Sequence, residues 1–256
     1  MTESTIAAQL YTARELLTNP ADIADTFKKL RQIGFEAVQV SGIKKEAISD
    51  AELKKIADGE GLDIIATHCG YDALVNDIDA IIEQHKTLGC SMTACAALPG
   101  DKRSAEGYAQ AARDLTEAGK KLAAEDIILG YHNHAFEFQK YDGRLGIEIL
   151  YEDSDPGALV AEIDTYWVQF GGGSPVAWIN KLSDRLPFVH FKDMTIVDNK
   201  PVFAEIGEGN LDWPAIIEAC RNAGTRWYII EQDTCPGNPL ESLKKSFDNM
   251  KAMGLK

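Results

Sequence analysis

The segment LVAEID, residues 159–164, is a short apolar run that ends in a carboxylate, and its form recurs along this chain. Three further segments resemble it: GYHNHAFEF (130–138), FVHF (188–191) and WYIIE (227–231). Each reads as a β-strand with a side chain at or near its end that can bind a cation. These side chains are Glu137, Asp164, His190 and Glu231. Successive parallel strands end at one face of a barrel, so the four are predicted to lie together there.

The whole chain alternates strand-like runs with amphipathic helical stretches. In the first helical stretch Ile23, Phe27 and Leu30 recur at the spacing of one helix face. Repeating units of roughly 32 residues fit a (β/α)8 TIM barrel, whose typical length is about 250 residues. The predicted strands are residues 5–10, 37–40, 63–69, 91–98, 126–134, 159–164, 188–192 and 227–231. We therefore predict an α/β protein with a single TIM-barrel domain over residues 1–256.

The main competing fold is a doubly wound open sheet. That fold usually carries a Gly-rich phosphate-binding turn after its first strand, and no such turn follows residues 5–10. The longest insertion, residues 195–210, is predicted to contain a hairpin that turns at Asp198 and Asn199. Helix N-caps are predicted at Asn19, Ser49, Ser174, Asp212 and Asn238, and glycines that follow helices at Gly34, Gly61, Gly89, Gly224 and Gly254.

Charge and cysteine content exclude several classes of protein. The net charge is −14, from 26 Lys and Arg against 40 Asp and Glu, which argues against nucleic acid as a partner because its binding relies on clustered basic side chains. No apolar run approaches the roughly 20 residues of a membrane span. Residues 1–15 lack the features of a signal peptide, and five scattered cysteines are expected to be free thiols. We expect a cytoplasmic protein.

The four strand-end side chains predict a metal site. Three unpaired carboxylates at one rim would repel one another, and a bound dication removes that cost. Oxygen ligands with one imidazole suit Mn²⁺, Mg²⁺, Co²⁺ or Zn²⁺. We predict one divalent metal ion per chain, held by Glu137, Asp164, His190 and Glu231.

Further polar residues near the same strand ends are candidates for catalysis or substrate binding. His132 and His134 alternate on one strand, so both face either the pore, as site residues, or the helices, as packing residues. Lys192 lies two residues after His190, so its side chain is predicted to point to the same face of the strand; it either acts in the site or pairs with a rim acid such as Asp233 or Glu205. Glu162 lies two residues before Asp164, so its side chain is predicted to point to the same face of the strand. It either orients the metal ligands through hydrogen bonds or pairs with a basic side chain in the pore. Gln9, Tyr11, His68 and Trp167 are predicted to contact substrate, although aromatic loop residues also serve packing or subunit contacts.

A glycine-rich stretch, Gly171 to Ser174, precedes a predicted helix. Such a stretch can cradle a phosphate at a helix N-terminus. No basic residue accompanies it, which favours a plain helix entry.

The chain resembles the xylose-isomerase-like TIM-barrel family, often described as sugar phosphate isomerases/epimerases. The resemblance covers almost the whole length and is carried by six motifs. These are Q-L-Y-T-x-R (9–14), Y-H-N-H-x-F-E-F (131–138), E-I-D-x-Y-W (162–167), H-F-K-D-M (190–194), G-E-G-x-x-D-W (207–213) and E-Q-D (231–233). It implies the same ligand set and a sugar or keto-sugar substrate, with a homo-oligomer suggested.

The expected chemistry is removal of a proton next to a carbonyl, with an enediolate that the metal stabilises. Glu137 and Glu231 are the candidate bases, with His134 and Lys192 as further catalytic candidates. Two opposed carboxylates would serve an isomerase or epimerase. However, Trp167 and Ile196 stand where the ketose 3-epimerases of this family carry His and Arg, and the His-x-Lys-Asp run resembles the branch with inosose dehydratases and 3-keto-glycoside lyases.

The isomerase or epimerase is the first prediction, and a lyase or dehydratase is the alternative. An endonuclease of the AP type, which resembles the same barrel, needs a basic groove and many more histidines than the five present. A non-catalytic sugar-binding or partner subunit is the remaining alternative, since a barrel can lose its chemistry and retain its fold.

Overall fold

The computed structural model describes residues 5–256, and within that range eight parallel strands form a closed barrel. Each strand pairs with its neighbours in sequence, and the last pairs with the first. The strands are β1 (Thr5–Gln9), β2 (Ala37–Val40), β3 (Asp63–Cys69), β4 (Met92–Cys95), β5 (Ile128–His132), β6 (Leu159–Asp164), β7 (Phe188–Phe191) and β8 (Trp227–Ile230). The predicted TIM barrel is confirmed. The prediction that one domain spans residues 1–256 stays open, because residues 1–4 lie outside the described part.

Helices surround the barrel and carry the predicted caps. The side chain of Asn19 accepts hydrogen bonds from the backbone amides of Ala21 and Asp22 at 3.0 and 3.1 Å. None of the helices in residues 5–256 is both long and apolar enough to span a membrane. The helices are α1 (Pro20–Ile33), α2 (Asp50–Glu60), α3 (Tyr71–Asn76), α4 (Ile78–Leu88), α5 (Ala105–Ala123), α6 (Gly146–Glu152), α7 (Thr165–Phe170), α8 (Pro175–Lys181), α9 (Trp213–Asn222) and α10 (Pro239–Ala252).

Apolar side chains fill two regions, one between the strands and the helices and one inside the lower barrel. The interior region depends on Phe188, whose ring lies against β5 at Gly130. A Cβ atom at Gly130 would come within 2.7 Å of that ring, so this position requires a glycine. The interior cluster consists of Ala7, Ala37, Ile65, Ala66, Met92, Ala94, Phe188, Trp227 and Ile229. It fills the barrel at the amino-terminal ends of the strands, and polar side chains occupy the interior at the carboxyl-terminal ends.

Two β-hairpins lie outside the barrel. The hairpin predicted in the longest insertion, over residues 197–203, is present but longer, because it pairs Asp193–Val197 with Lys200–Ala204. Its turn residues Asp198 and Asn199 have φ values of 50° and 61°, the left-handed conformation that a tight hairpin requires. A shorter hairpin, Lys140–Tyr141 with Arg144–Leu145, was not predicted from the sequence.

Candidate active site and metal centre

Four side chains converge at the carboxyl ends of consecutive barrel strands. His132 ends β5, Asp164 ends β6, His190 lies in β7 and Glu231 follows β8. One ligand atom from each lies within 4.8 Å of the others, and all four residues are buried. We call these four residues the rim cluster. Strand register explains the convergence, because Asp164 pairs directly with His190 across β6 and β7.

Each member of the rim cluster is oriented by its neighbours. Asp164 accepts a hydrogen bond from the Trp167 amide at 2.9 Å and so also caps α7. Nδ1 of His190 lies 2.7 Å from a Glu231 oxygen. Nε2 of His132 lies 3.2 Å from an Asp164 oxygen. These contacts keep the carboxylate oxygens and ring nitrogens directed at one another.

Glu137, a predicted metal ligand and base, is not part of this cluster. The chain leaves β5 after His132, and Phe136–Phe138 form a short 3-10 helix. The Glu137 carboxylate accepts hydrogen bonds from the Tyr131 hydroxyl at 2.7 Å and the His134 amide at 2.9 Å. Burial raises the pKa of Glu137 to about 7, although these hydrogen bonds oppose the shift. His132, predicted to bind substrate, takes the place in the cluster that Glu137 was expected to fill.

A second polar layer lies beside the rim cluster within the barrel. Glu162 is fully buried, and its oxygens lie 2.7 Å from both the Gln39 amide nitrogen and Nε2 of His68. Gln9, predicted to contact substrate, instead donates to Gln39 at 2.8 Å. Nε2 of His190 completes the layer, 2.6 Å from the Gln39 oxygen. We call Gln9, Gln39, His68, Glu162 and His190 the inner network, and His190 belongs to both groups.

The ammonium of Lys192 lies among carboxylates. Nζ is 3.0 Å from Asp164, 2.8 Å from Glu231 and 2.8 Å from Asp233, and the side chain is almost completely buried. Burial alone would lower the pKa of Lys192, but the three carboxylates outweigh it and raise the pKa above its usual value. The pairing of Lys192 with the rim acid Asp233 is confirmed, and its side chain also lines the cavity of the site, while its catalytic role stays a prediction.

The protonation states of the cluster follow from these contacts. Burial would raise the pKa of Glu231, but Lys192 and His190 outweigh it and hold the pKa well below its usual range. Burial opposes a charge on His190, yet Glu162 and Glu231 raise its pKa to about 10. Burial, with the neighbouring His132 and Lys192, lowers the pKa of His134 to about 3, so that its ring is neutral.

The donor set fits a divalent metal ion. Two carboxylates and two imidazoles at mutual ligand distances are a combination that Zn²⁺, Mn²⁺, Co²⁺ and Fe²⁺ accept. A histidine that binds a metal usually forms a hydrogen bond through its other ring nitrogen, which fixes the orientation of the ring. Here the side-chain oxygen of Gln39 contacts Nε2 of His190, and the backbone oxygen of Ala96 contacts Nδ1 of His132. His132, Asp164, His190 and Glu231 would hold the ion.

A cavity of about 230 Å³ opens above the cluster. This volume lies below the roughly 300 to 1,000 Å³ of pockets for drug-sized ligands, and it suits a single sugar ring. Its walls include the predicted residues Tyr11, His68, His132, His134, Lys192 and Glu231, together with Ser41, Ala96, Ala97 and Asp233. Among the described residues, Nδ1 of His134, Nε1 of Trp167 and Oε1 of Gln232 are buried without a hydrogen-bond partner. Trp167 is not one of the lining residues.

Two important residues, Gln39 and Asp193, were not predicted from the sequence, whereas Asp233 was expected only as an ion-pair partner of Lys192. Gln39 gave no periodic or spacing signal. Asp193 accepts hydrogen bonds from the amides of Gly207 and Gly209 at 2.8 and 3.0 Å and from the Trp213 indole at 2.6 Å. Its position beside Lys192 in the H-F-K-D-M motif was the available clue. Asp193 thus fixes the loop after the hairpin against β7.

Comparison with known proteins agrees with this architecture. Residues 27–253 match the family model of the xylose isomerase-like TIM barrel. The rhizopine catabolism protein MocC of Rhizobium meliloti is 24% identical over 263 residues, covering 88% of this chain and 79% of that protein. An inosose dehydratase of Geobacillus thermodenitrificans is 29% identical over 150 residues, which cover 52% of this chain and only half of that enzyme.

A solved structure shares the fold over nearly the whole chain. A sugar phosphate isomerase/epimerase from Parabacteroides distasonis superposes with a TM-score of 0.80 at 22% identity, covering 98% of this chain and 95% of that one. The residues matched by the family model include the whole rim cluster. This chain belongs to the xylose isomerase-like TIM barrel family.

Proposed function

We propose that this protein is a divalent-metal-dependent enzyme that removes a proton beside the carbonyl of a keto-polyol and then eliminates water. The observation that carries the proposal is the rim cluster with the ammonium of Lys192 directly against two of its carboxylates. Named relatives that are inosose dehydratases support the same reaction class. Elimination is preferred over epimerisation because Glu137, the second base of an opposed pair, lies outside the cluster.

The bound metal would supply a Lewis acid beside the substrate carbonyl, an effect worth several kcal/mol. Glu231 is the base that fits the geometry, since it lines the cavity and is held ionised by Lys192 and His190. Such a positioned base typically contributes 10²- to 10⁴-fold to the rate. Glu231 takes the proton from the carbon next to the carbonyl.

Lys192 serves the second half of the reaction. As the neighbouring carbon–oxygen bond breaks, the C–H electron pair forms the new double bond and the departing hydroxyl takes a proton from Lys192, leaving as water. The proton held by Glu231 can then return to Lys192, because the two groups lie 2.8 Å apart. Both side chains thereby recover their starting charges, and no further reactant is needed.

The test is incubation of metal-loaded protein with ketoses, inososes and 3-keto-glycosides in D₂O, followed by NMR. An unsaturated ketone formed from an inosose supports the proposal. Formation of epimers alone from a free ketose contradicts it.

Metal dependence has a separate test that does not use activity. Added Mn²⁺, Co²⁺ or Zn²⁺ should raise the melting temperature of EDTA-treated protein, since a ligand that binds only the folded state stabilises it. The matched control is Asp164→Asn, which should lose this shift. Absence of any shift in the unaltered protein would contradict the metal proposal.

Epimerisation or isomerisation is the second candidate, and one observation favours it. His134 lines the cavity with an unpaired Nδ1 and a neutral ring, so it can exchange a proton with the substrate from another wall. In that case His134→Phe would abolish turnover while Lys192→Met would spare it.

A further inference from the structure

The cavity above the rim cluster carries an excess of negative charge. Glu231 and Asp233 line it directly, and Lys192 is the only lysine or arginine among its lining residues in the described chain. Asp164 and Glu162 lie immediately behind, in contact with Lys192 and His190. These four carboxylates therefore face one ammonium, that of Lys192, and a divalent ion held by the rim cluster would add two positive charges against their four negative ones.

Basic residues near the strand ends are already engaged. The guanidinium of Arg14 donates to the backbone oxygens of Tyr11 and Asp233 at 2.8 and 3.0 Å. Arg103 donates twice to the Leu98 oxygen and lies 3.5 Å above the Phe136 ring. Neither is among the residues that line the cavity.

Two further lysines face elsewhere. Lys44 and Lys45 line a separate groove between α2 and α4, together with Asp50 and Asp77. They therefore add no positive charge to the wall of the substrate cavity.

The glycine-rich stretch offers no anion site either. A Cβ atom at Gly171 or Gly173 would collide with the Phe138 ring at 2.6 to 2.7 Å, so these glycines make room for packing. Ser174 caps α8 with its own hydroxyl, and Pro175 removes the first amide of that helix. The stretch is a helix entry, as favoured by the sequence.

We infer that the substrate is an uncharged keto-polyol of single-ring size that carries neither phosphate nor carboxylate. This inference rests on the proposed function and narrows its substrate class. A phosphate dianion in the cavity would lose its water and face carboxylates with no free cation to compensate. Hydroxyl groups, in contrast, can donate hydrogen bonds to Glu231 and Asp233 and accept them from Lys192.

The first experiment compares binding of matched neutral and anionic ligands by calorimetry. The probes are D-fructose and D-fructose 6-phosphate, titrated into metal-loaded protein and into EDTA-treated protein. The neutral sugar should bind at least about tenfold more tightly in both, equivalent to about 1.4 kcal/mol. A phosphate ester bound as tightly as its neutral parent in either form would overturn the inference.

The second experiment inserts the missing charge. Ala97 is a half-buried wall residue outside the catalytic groups, and Ala97→Lys places an ammonium on the cavity wall. It should strengthen binding of D-fructose 6-phosphate about tenfold and leave D-fructose unchanged. Ala97→Met has a similar size without the charge and should change neither. Equal gains in both variants would show that charge is not the determinant, against the inference.

The proposed reaction and the inference about substrate charge can be contradicted separately. If neutral ketones bind preferentially but are never dehydrated, the proposed reaction is wrong and the charge argument stands. If an inosose is dehydrated but phosphate esters bind better than neutral sugars, the reaction stands and the inference is wrong.

Discussion

The inner network and the rim cluster are neighbouring polar groups in one barrel, and they are built differently. In the inner network, Gln9, Gln39 and Glu162 form a chain of side-chain hydrogen bonds at 2.7 to 2.8 Å. In the rim cluster and the wall above it, three carboxylates share one ammonium, and the His134 ring keeps an unpaired nitrogen. One group has its partners within the protein, whereas the other has groups available to a ligand.

This difference distinguishes polar residues that support the fold from polar residues that can bind a ligand. Most buried polar groups have hydrogen-bond partners within the protein. A buried polar group without a partner, or a cluster with an excess of one charge, indicates a place where a substrate or ion binds. His190 joins the two groups, with Nε2 in the inner network and Nδ1 against Glu231. The inner network therefore fixes the orientation of a ring that the rim cluster uses.

The largest expected effect concerns the base in the rim cluster. Glu231→Gln should lower kcat about 10³-fold, because it removes the basicity and keeps the shape of the side chain. Exchange of the substrate α-proton into D₂O, followed by NMR, should fall by the same factor. Near-normal exchange in a variant that still binds metal would assign the base to another residue.

A substitution in the inner network should act on stability instead. Glu162→Gln leaves His68 and His190 without their buried carboxylate, and breaking such a pair costs about 3 kcal/mol. Urea unfolding measures the loss. Gln9→Met, a change at the end of the same chain of bonds, should cost less. An unaltered unfolding free energy in Glu162→Gln would show that the network is not structural.

The pH dependence of the metal-free protein should report on His190. Its pKa is raised from 6.5 to about 10 by Glu162 and Glu231 acting against burial. A raised pKa gives stability that is complete below 6.5 and is lost as the pH rises towards 10. Melting temperatures of EDTA-treated protein should therefore fall between pH 7 and pH 10. Equal stability across this interval would mean that His190 is neutral in the metal-free state.

Lys192→Met should sharpen the comparison within the rim cluster. Removal of an ammonium that contacts Asp164 and Glu231 should tighten metal binding about tenfold, since two cations no longer compete for the same oxygens. The same variant should spare α-proton exchange and slow elimination. Metal titrations followed by the absorbance of Co²⁺ measure the first effect. Weaker metal binding would show that Lys192 supports the site.

The smallest effect is expected at the unpaired ring of the cavity wall. His134→Phe should leave stability within about 0.5 kcal/mol, because Nδ1 has no partner to lose in the described structure. It should raise KM several-fold if that nitrogen contacts substrate. Thermal melts and steady-state kinetics distinguish these outcomes, and a large loss of stability would place His134 with the structural residues.

Much of this architecture could be read from local patterns. Apolar runs, capping residues such as Asn19 and the turn at Asp198 and Asn199 predicted the barrel and its hairpin, because short-range sterics and periodicity determine these features. The convergence of Asp164, His190 and Glu231 could be predicted because they lie within a strand or at its end, where the strand determines the direction of each side chain.

The remainder of the site depended on tertiary structure. The sequence could not show whether His132 or Glu137 joins the rim cluster. The alternation of side chains along β5 ends at His132, and the 3-10 helix after it directs the Glu137 carboxylate to the Tyr131 hydroxyl. Of the three carboxylates around Lys192, Glu231 and Asp233 lie two residues apart after β8, whereas Asp164 ends β6, and no spacing rule relates Asp164 to the other two or to Lys192. The sequence by itself determined which strands end in a carboxylate or an imidazole. Barrel closure decided which of those groups meet, since it brings residues more than a hundred positions apart within hydrogen-bond distance.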